Sequence, residues 1–381
     1  MHQMDELNDP IRTFTLTKED LQRINPNTGT TPIFRTQYDA ELTKKIYQKV
    51  PVLCRETEDD VLQLDKYSPN PWGISFQRMF DMSNDSHLFQ NEPAENRLAL
   101  YEAKMIWHYD HRFGSYANVA EDSVDTHLPT PELSDYQNPA YSITPRYWVD
   151  QLEVYKRLAA LSKEEKEKLE LISYEEQILW LKPRVPGYLF GFRDISNNTN
   201  ERSFIGSILP LSGVGNNLPV ISVKKRQSYL LFANFSSLVF DYIVRQKIGG
   251  THLNFHYVKQ FPVLAPEDYS QADIDYIRSR VLELVYTAHD LKAFAEELGY
   301  EGEPFVWNEE RRFRLKCELD ARYACLYGLN EEELRYILDP SAVFGTDYPG
   351  ETFRVMKDKE IKKYGYYKSM EFILDAWQKM S

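Results

Sequence analysis

The apolar run YLLFANFSSLVFDYIV, residues 229–244, constrains the fold more than any other stretch of the chain. It contains Asn234, two serines and Asp241, and it is too short and too polar to span a lipid bilayer. So many apolar side chains in a row need a buried site, and SYLLFANFSSLVFDYIVRQK is therefore predicted to be a buried helix. Hydrophobic residues make up 42% of the 381 residues, which suffices for one large core or two to three smaller ones.

The periodicity of apolar residues differs along the chain. Residues 147–182 and the chain from residue 265 onward show helical spacing, whereas residues 186–262 alternate short β-branched and aromatic runs with Gly, Asn and Pro. This pattern predicts an α/β or α+β fold, in which a mixed β-sheet core is flanked by helical segments. The predicted parts are an N-terminal connecting region at 1–142, the core at 143–264 and a C-terminal helical region at 265–381.

Several helix ends are marked by residues with known capping preferences. Thr17 predicts a helix start, and Asn330 with Glu333 predicts a capped start. Gly299 and Gly328 follow helical patterns and predict helix ends.

The termini and cysteines indicate the compartment. The first ten residues, MHQMDELNDP, are acidic and contain no apolar stretch, so no signal peptide is expected. Cys54, Cys317 and Cys325 are odd in number and form no CxxC pattern, which is typical of reduced thiols. We expect a cytoplasmic protein with no membrane partner.

Charge is distributed unevenly along the chain. The net charge is −13, which by itself argues against nucleic acid as a partner. Residues 182–262, however, contain ten Lys or Arg and only three acidic residues, so this segment carries +7 and the rest carries −20. Such asymmetry indicates a local anion-binding surface on an acidic body.

The run SPNPWG, residues 68–73, resembles the Asp/Asn/Ser-Pro-Pro-aromatic tetrapeptide of enzymes that methylate exocyclic amines in DNA. Asn70 separates the two prolines, and no Gly-rich cofactor loop precedes the run. The Gly-x-Gly of SGVGNN, residues 212–217, lies downstream and is interpreted as a turn. We therefore predict that SPNPWG is not a catalytic site and that the chain itself has neither catalytic nor cofactor-binding residues.

A second candidate site lies in LALYEAKMIWHYDHRFGSY, residues 98–116, a stretch whose alternation suggests a strand. Glu102 and Lys104 match half of a common nuclease metal site, and Asp81 or Asp85 is a possible second carboxylate for Mg²⁺. The two histidines of this stretch have no third ligand nearby, so no zinc site is predicted.

The basic segment supplies the third and richest set of candidates. Arg reads guanine and Asn reads adenine in the major groove, so base or groove contacts are predicted for Arg193, Asn197, Asn198, Asn200 and Arg202. Phosphate contacts are predicted for Lys224, Lys225, Arg226, Lys247 and Lys259. Further DNA-binding candidates on the last stretch are Thr251, His252, Asn254 and His256.

At these residues the chain resembles part of the large, type IIG-like adenine-specific DNA methyltransferases of restriction–modification and related phage-defence systems. The part it resembles is the region downstream of their catalytic domain. The resemblance runs in order through most of the chain. It is carried by NPNTGTTPIFRTQYDAELTKKIY, PWGISFQRMFDMSNDSHLF, LYEAKMIWHYDHRFGSY, TPRYWV, RDISNNTNERSFIGSILP, LVFDYIVRQKIGGTHLNFHYVKQFPV, ELDARYACLYGL, RYILDP and GETFRVMKDKE.

The resemblance implies sequence-specific recognition of duplex DNA, with residues 143–264 as the target recognition core. It also implies a methyltransferase catalytic module as partner, in cis or in trans, and S-adenosylmethionine as the cofactor of that module. Two alternatives from other classes stay open at this point. One is a Mg²⁺-dependent nuclease that uses Asp85, Glu102 and Lys104, and the other is a protein-interaction scaffold of a defence complex.

Overall fold

The computed structural model describes most of the chain, in segments separated by short gaps. The described residues are 9–56, 67–117, 119, 127–197, 200–248 and 250–380.

The described chain is a mixed fold in which helices predominate and strands are short. Its α-helices are α1 (Lys18–Ile24), α2 (Gln37–Lys49), α3 (Leu133–Gln137), α4 (Gln151–Leu158), α5 (Lys163–Leu169), α6 (Tyr174–Leu181), α7 (Ser228–Phe235), α8 (Leu238–Lys247), α9 (Phe255–Val258), α10 (Gln271–Val285), α11 (Lys292–Glu297), α12 (Glu309–Leu326), α13 (Glu331–Leu338), α14 (Ser341–Phe344), α15 (Arg354–Tyr364) and α16 (Lys368–Gln378). Its strands are β1 (Ile74–Gln77), β2 (Phe89–Gln90), β3 (Arg97–Tyr101), β4 (Trp148–Asp150), β5 (Tyr188–Phe192), β6 (Gly206–Pro210), β7 (Gly213–Val214) and β8 (Val220–Val223). The α/β class predicted from the sequence is confirmed.

The strands form two sheets of four. The first has the order β1-β8-β5-β6, and its neighbours are antiparallel. The second has the order β2-β4-β3-β7, with β7 parallel to β3. Both sheets take strands from before residue 143, so the sheet predicted for residues 143–264 also includes parts of the preceding region.

The first sheet separates two hydrophobic cores. Neighbouring side chains on a strand point to opposite faces, and Leu189, paired with Leu209, contributes to the smaller core. Phe190, paired with Ile208, and Phe192 contribute to the larger core. This larger core includes residues from all three predicted parts of the chain. Because the two cores cover opposite faces of the first sheet, that sheet is buried on both sides.

The longest apolar run is buried, as predicted, but it forms two helices, α7 and α8. Ser237 ends the continuity because its side chain accepts a hydrogen bond from the backbone N–H of Phe240 and so caps a new helix. Asn234 is satisfied inside the core, since its amide donates to the Tyr327 hydroxyl at 2.7 Å and accepts from the Leu264 N–H at 3.1 Å. None of the helices in the described residues combines the length and apolar character needed to cross a membrane.

Capping residues set most helix ends where the sequence predicts them. Thr17 and Asn330 accept from backbone N–H groups of the first turns of α1 and α13, in capping boxes. Gly328 has a left-handed φ of 74° after α12. The helix predicted to continue to Gly299 is interrupted: α10 ends at Val285, and after a 3₁₀ turn, His289–Leu291, the separate helix α11 is followed by Gly299, which has a left-handed φ of 76°.

The strand suggested for residues 98–116 is correct only at its start, where β3 ends at Tyr101. Beyond it the chain forms a 3₁₀ turn, Ala103–Met105, and a tight hairpin closed by Trp107 and Asp110. The alternating aromatic residues of this stretch therefore lie in buried turns and not in a hydrogen-bonded β-strand.

Candidate nucleic-acid interface

Lys224, Lys225 and Arg226, here called the basic ridge, lie in the connection between β8 and α7. Because β8 ends at Val223 and α7 begins at Ser228, all three residues stand outside regular structure and are exposed. Within the part of the chain that the structure describes, their side chains make no hydrogen bond or ion pair. Three unpaired cations in succession are suited to bind an anion from solution.

The SPNPWG loop supports the ridge from below. The carbonyls of Gly73 and Trp72 accept hydrogen bonds from the N–H groups of Lys224 and Lys225, both at 3.4 Å. Gly73 has a φ of 60°, and a Cβ at this position would lie 3.0 Å from the Lys224 Cβ. A glycine is therefore needed for the close approach of the two segments.

The side chains of the same loop are used for packing. Trp72 is 1% exposed, and its indole N–H donates to the Leu264 carbonyl at 2.9 Å. Asn70 accepts from the N–H of Ile74 and donates to its carbonyl. Since the Trp72 ring is enclosed, it cannot stack on an extruded base, and the loop has the role of a structural support.

A cavity of about 580 Å³ opens beside the ridge. Its cationic lining is the ridge together with Arg278, which is paired with Asp275 at 2.8 Å, and its one carboxylate is Glu297. Gln227, in a left-handed conformation, precedes α7 without a side-chain cap, so the positive end of the helix adds to the cationic field. Arg278 was not predicted, because α10 lies far from the ridge in sequence.

The structure brings two predicted DNA-facing segments together as one surface. Residues 193–197 and 200–202 on one side and 250–259 on the other, here called the polar loop pair, are joined by backbone hydrogen bonds. The Ser196 N–H donates to the Thr251 carbonyl at 2.8 Å, and the Leu253 N–H donates to the Asp194 carbonyl at 2.7 Å. Segments that lie more than fifty residues apart in sequence therefore form one surface.

Asp194 organises the exposed edge of the polar loop pair. It is 2% exposed, and its Oδ2 atom lies 3.1 Å from both His252 Nδ1 and Arg78 Nη1. Arg78 also covers the ring of Phe255 at 5.1 Å. The sequence did not single out Arg78, but its position directly after β1 places a second basic side chain beside His252.

The amide, hydroxyl and imidazole candidates of the polar loop pair are mostly at the surface. Asn197, Asn200, Thr251, His252, Asn254 and His256 are all exposed. Asn198 lies outside the described residues. Exposed amide and hydroxyl groups are among the side-chain types that form hydrogen bonds with base edges.

The basic ridge and the polar loop pair lie at opposite ends of one strand pair. The ladder of β1 and β8 runs from Ile74 opposite Val223 to Gln77 opposite Val220, a span of roughly 10 Å. Lys224 follows one end of this ladder, and Arg78 follows the other. The sheet therefore fixes the spacing of the two surfaces.

Four predicted contacts are already engaged within the protein, and the first is Arg193. Its guanidinium donates to the Ile106 carbonyl from Nε at 3.1 Å and from Nη2, and it covers the Trp107 ring at 4.9 Å. Burial lowers the pKa of Arg193 to about 10. The prediction of a base contact by Arg193 is not supported, because its donors are directed inward.

Arg202 is buried as well, and its Nη2 atom lies 3.5 Å from Asp320 Oδ2. Asp320 also accepts from the Leu238 N–H at 2.7 Å, at the start of α8. Desolvation raises the pKa of Asp320 to about 6, and Arg202 opposes this rise. The structure thus replaces the predicted groove contact of Arg202 with an internal ion pair.

Lys247 is the clearest correction, because its ammonium group lies inside the larger core. It donates to the carbonyls of Ile24 and Gln260 and to the hydroxyl of Tyr47, at 2.8–2.9 Å. Burial lowers the pKa of Lys247 well below the usual lysine value. Lys259, by contrast, is partly exposed, but it forms an ion pair with Glu56 at the surface.

The charged residues of the alternative nuclease site have partners within the protein, and Lys104 Nζ lies 3.7 Å from Glu102 Oε2. Glu102 accepts from the Tyr116 hydroxyl at 2.6 Å, whereas Asp85 accepts from the backbone of Asp81 and pairs with Arg157 at 3.3 Å. Across residues 9–380, apart from the undescribed gaps, no three His, Cys, Asp or Glu side chains are grouped to hold a metal ion.

A groove that the sequence did not predict adjoins the polar loop pair. It has a volume of about 370 Å³, and its lining includes Asn197 and Thr251 together with Ile33 and Arg35. Arg35 is exposed, and no hydrogen bond or ion pair connects its side chain with another described residue. The sequence around Arg35 contains no cluster of basic residues that would have predicted an anion-binding site there.

Comparison with known proteins adds no assignment: no family model matches this chain, and no curated protein matches it either.

Proposed function

We propose that this chain recognises duplex DNA in a sequence-specific manner and positions it for adenine methylation by an S-adenosylmethionine-dependent module of a restriction–modification or phage-defence system. The methyltransferase module is supplied in cis or in trans. The resemblance of the sequence motifs supports the proposed reaction class, and the surface chemistry supports the proposed role of this chain.

One observation carries the proposal: the basic ridge is exposed and unpaired, although most other basic side chains of the same segment are buried or paired. Leaving three adjacent like charges without partners costs stability through mutual repulsion. Phosphate groups of a nucleic-acid backbone would offset that cost and release bound counterions. The ridge therefore fits a backbone contact.

The polar loop pair fits the second task, which is to read bases. The β1–β8 ladder, roughly 10 Å long, separates the ridge from Arg78, which borders the polar loop pair through Asp194. In the proposed complex one duplex contacts both surfaces, with phosphates on the ridge and base edges at Asn197, Asn200 or Asn254. Base contacts of this kind carry sequence information, whereas phosphate contacts fix the register.

The test is binding of the full chain to a pool of duplex DNA across a salt series. We expect tight binding that weakens steeply with salt and enriches one short motif. Alanine at Lys224, Lys225 and Arg226 together should lower the slope of log affinity against log salt by about two to three units, because each phosphate contact contributes about 0.9.

A variant that removes the same charge elsewhere gives the control. Lys163, Lys166 and Lys168 on α5 are exposed, and their replacement by alanine should leave the slope unchanged. Equal slopes for the two triple variants would remove the ridge from the interface. Failure of the wild-type chain to bind DNA at low salt, even with a methyltransferase module added, would favour the scaffold function.

A further inference from the structure

The guanidinium group of Arg245, on α8, holds part of the polar loop pair in place. The Arg245 side chain is 6% exposed. Its Nη2 atom donates to two consecutive backbone carbonyls, those of Asn200 at 2.7 Å and Glu201 at 2.9 Å. Because the planar guanidinium group fixes both hydrogen bonds at once, the direction of the peptide between these two residues depends on α8.

Asp241, one helical turn before Arg245, holds the chain a few residues further on. Its Oδ1 atom accepts from the backbone N–H groups of Ser203 at 2.9 Å and Phe204 at 2.8 Å. Its Oδ2 atom lies 3.2 Å from Arg245 Nε. Hydrogen bonds to an ionised group are about twice as strong as those between neutral groups. Asp241 and Arg245, here called the loop anchor, therefore fix both ends of residues 200–204.

The loop anchor also connects residues 200–204 to the C-terminal region. The Arg245 Nη1 atom donates to the Thr352 carbonyl at 2.6 Å, and the guanidinium group lies 4.7 Å from the ring centroid of the buried Phe353. Lys359 on α15 adds an ion pair with Glu201 at 2.8 Å. The conformation of this short segment is thus set by α8 and by residues that come much later in the chain.

The five residues of the held segment differ in exposure. Asn200 is exposed and Glu201 is half-buried, whereas Arg202, Ser203 and Phe204 are buried. The side chains of the loop anchor are enclosed as well, so they cannot contact DNA directly. Because desolvation cancels much of the attraction within a buried ion pair, we expect the loop anchor to contribute chiefly to the conformation of the segment that carries Asn200.

We infer that Asp241 and Arg245 are positioning residues for sequence recognition, which hold Asn200 at the angle at which its amide reads a base edge. A bidentate contact between an asparagine amide and a base requires the amide oxygen and nitrogen to meet the base edge together. A small turn of the Asn200 backbone therefore removes that contact. Phosphate contacts at the basic ridge carry no sequence information and do not involve this segment. The inference deepens the proposed function and rests on it, because it requires bound duplex DNA.

The experiment compares two duplexes, one with the motif that the wild type enriches from the pool and one with that motif scrambled. Arg245→Lys keeps the charge, but a single ammonium group cannot bond Asp241, Asn200 and Thr352 in the geometry of the guanidinium fork. We expect this variant to lower the ratio of the two affinities about tenfold, in the range of one bidentate base contact. Its affinity for the scrambled duplex and its salt slope should equal those of the wild type.

Asp241→Asn is the second variant, since it keeps the size of the side chain and removes its charge. It should lower the same affinity ratio. Hydrogen exchange at the backbone amides of Ser203 and Phe204 should also become faster, because both amides lose a charged acceptor. This second readout does not require DNA, and unchanged exchange at both amides would contradict the loop anchor by itself.

Arg112→Lys is the matched control, because it alters a buried arginine that holds other parts of the chain. The Arg112 guanidinium donates to the backbone carbonyls of Tyr136, Asn138, Tyr141 and Thr287. Arg112→Lys should keep the wild-type affinity ratio, whatever its effect on the unfolding midpoint.

Two results would overturn the loop anchor while leaving DNA recognition intact. One is an unchanged affinity ratio in both Arg245→Lys and Asp241→Asn, and the other is an equal loss of the ratio in Arg112→Lys. A wild type that enriches no motif from the pool would instead overturn the proposed function, and the role of the loop anchor with it.

Discussion

Lys224 and Lys247 belong to the same basic segment, yet the fold gives them opposite roles. Lys224 projects into solvent from a connection held by backbone hydrogen bonds, whereas Lys247 is enclosed at the end of α8 and makes three hydrogen bonds. The difference teaches that the excess of positive charge in a segment does not equal the charge that it presents. Some of the basic side chains behind the net charge of +7 in residues 182–262 make contacts inside the protein, and the ridge residues are the ones left exposed to a ligand.

The largest expected effect comes from the buried lysine. Lys247→Ala should lower the free energy of unfolding by about 3 kcal/mol, because the Ile24 carbonyl loses its donor and the aliphatic stem leaves a cavity. Denaturant unfolding measures this loss. A change below about 0.5 kcal/mol, the range of surface substitutions, would contradict the structural role assigned to Lys247.

The second prediction concerns the ion pair of Arg202 and Asp320. The pKa of Asp320 is about 6 in the folded chain, above its ordinary value of 3.8. As pH rises between these values the unfolded chain ionises first, so this group's contribution to stability is full at low pH and is lost by about pH 6. The wild type should thus lose roughly 2–3 kcal/mol relative to Asp320→Asn between pH 4 and pH 6.

Unfolding of the wild type and Asp320→Asn at several pH values measures that difference. Parallel stability profiles for the two proteins would mean that the carboxyl group is not desolvated as the structure has it. In that case Arg202 would be free to be reconsidered as a groove contact.

Sequence patterns were sufficient where the determinants were local. The capped starts at Thr17 and Asn330 and the burial of α7 and α8 depend on residues within a few positions of one another. Whether Lys224 and Lys247 are exposed or buried depends on contacts between distant parts of the chain. The partners of Lys247 include Tyr47, about two hundred residues earlier. Periodicity and charge patterns do not identify partners that are distant in sequence. The sequence could therefore predict that residues 224–226 are basic, but not that they are the exposed basic residues of the segment.

The third prediction tests the support beneath the ridge. Gly73→Ala should cost about 1–2 kcal/mol, because the residue has a left-handed φ and its Cβ would crowd Lys224. Gly29→Ala is a close control, since Gly29 has a φ of 61° but no atom within 4 Å of its added Cβ. Comparison of the two unfolding free energies isolates the crowding, and only Gly73→Ala should also alter DNA binding.

The smallest effect on stability is expected at the ridge itself. Lys224→Ala should change the free energy of unfolding by less than about 0.5 kcal/mol. It should nevertheless lower the salt slope of DNA binding by about one unit, equally for all sequences. A stability loss as large as that of Lys247→Ala would abolish the contrast between the two lysines.

The backbone hydrogen bonds that hold the ridge in place affect which substitutions the fold tolerates. Because the carbonyls of Trp72 and Gly73 hold the main chain of residues 224 and 225, the side chains there are not needed to maintain the fold. Substitutions at these positions can therefore adjust the strength of a contact without a penalty in folding.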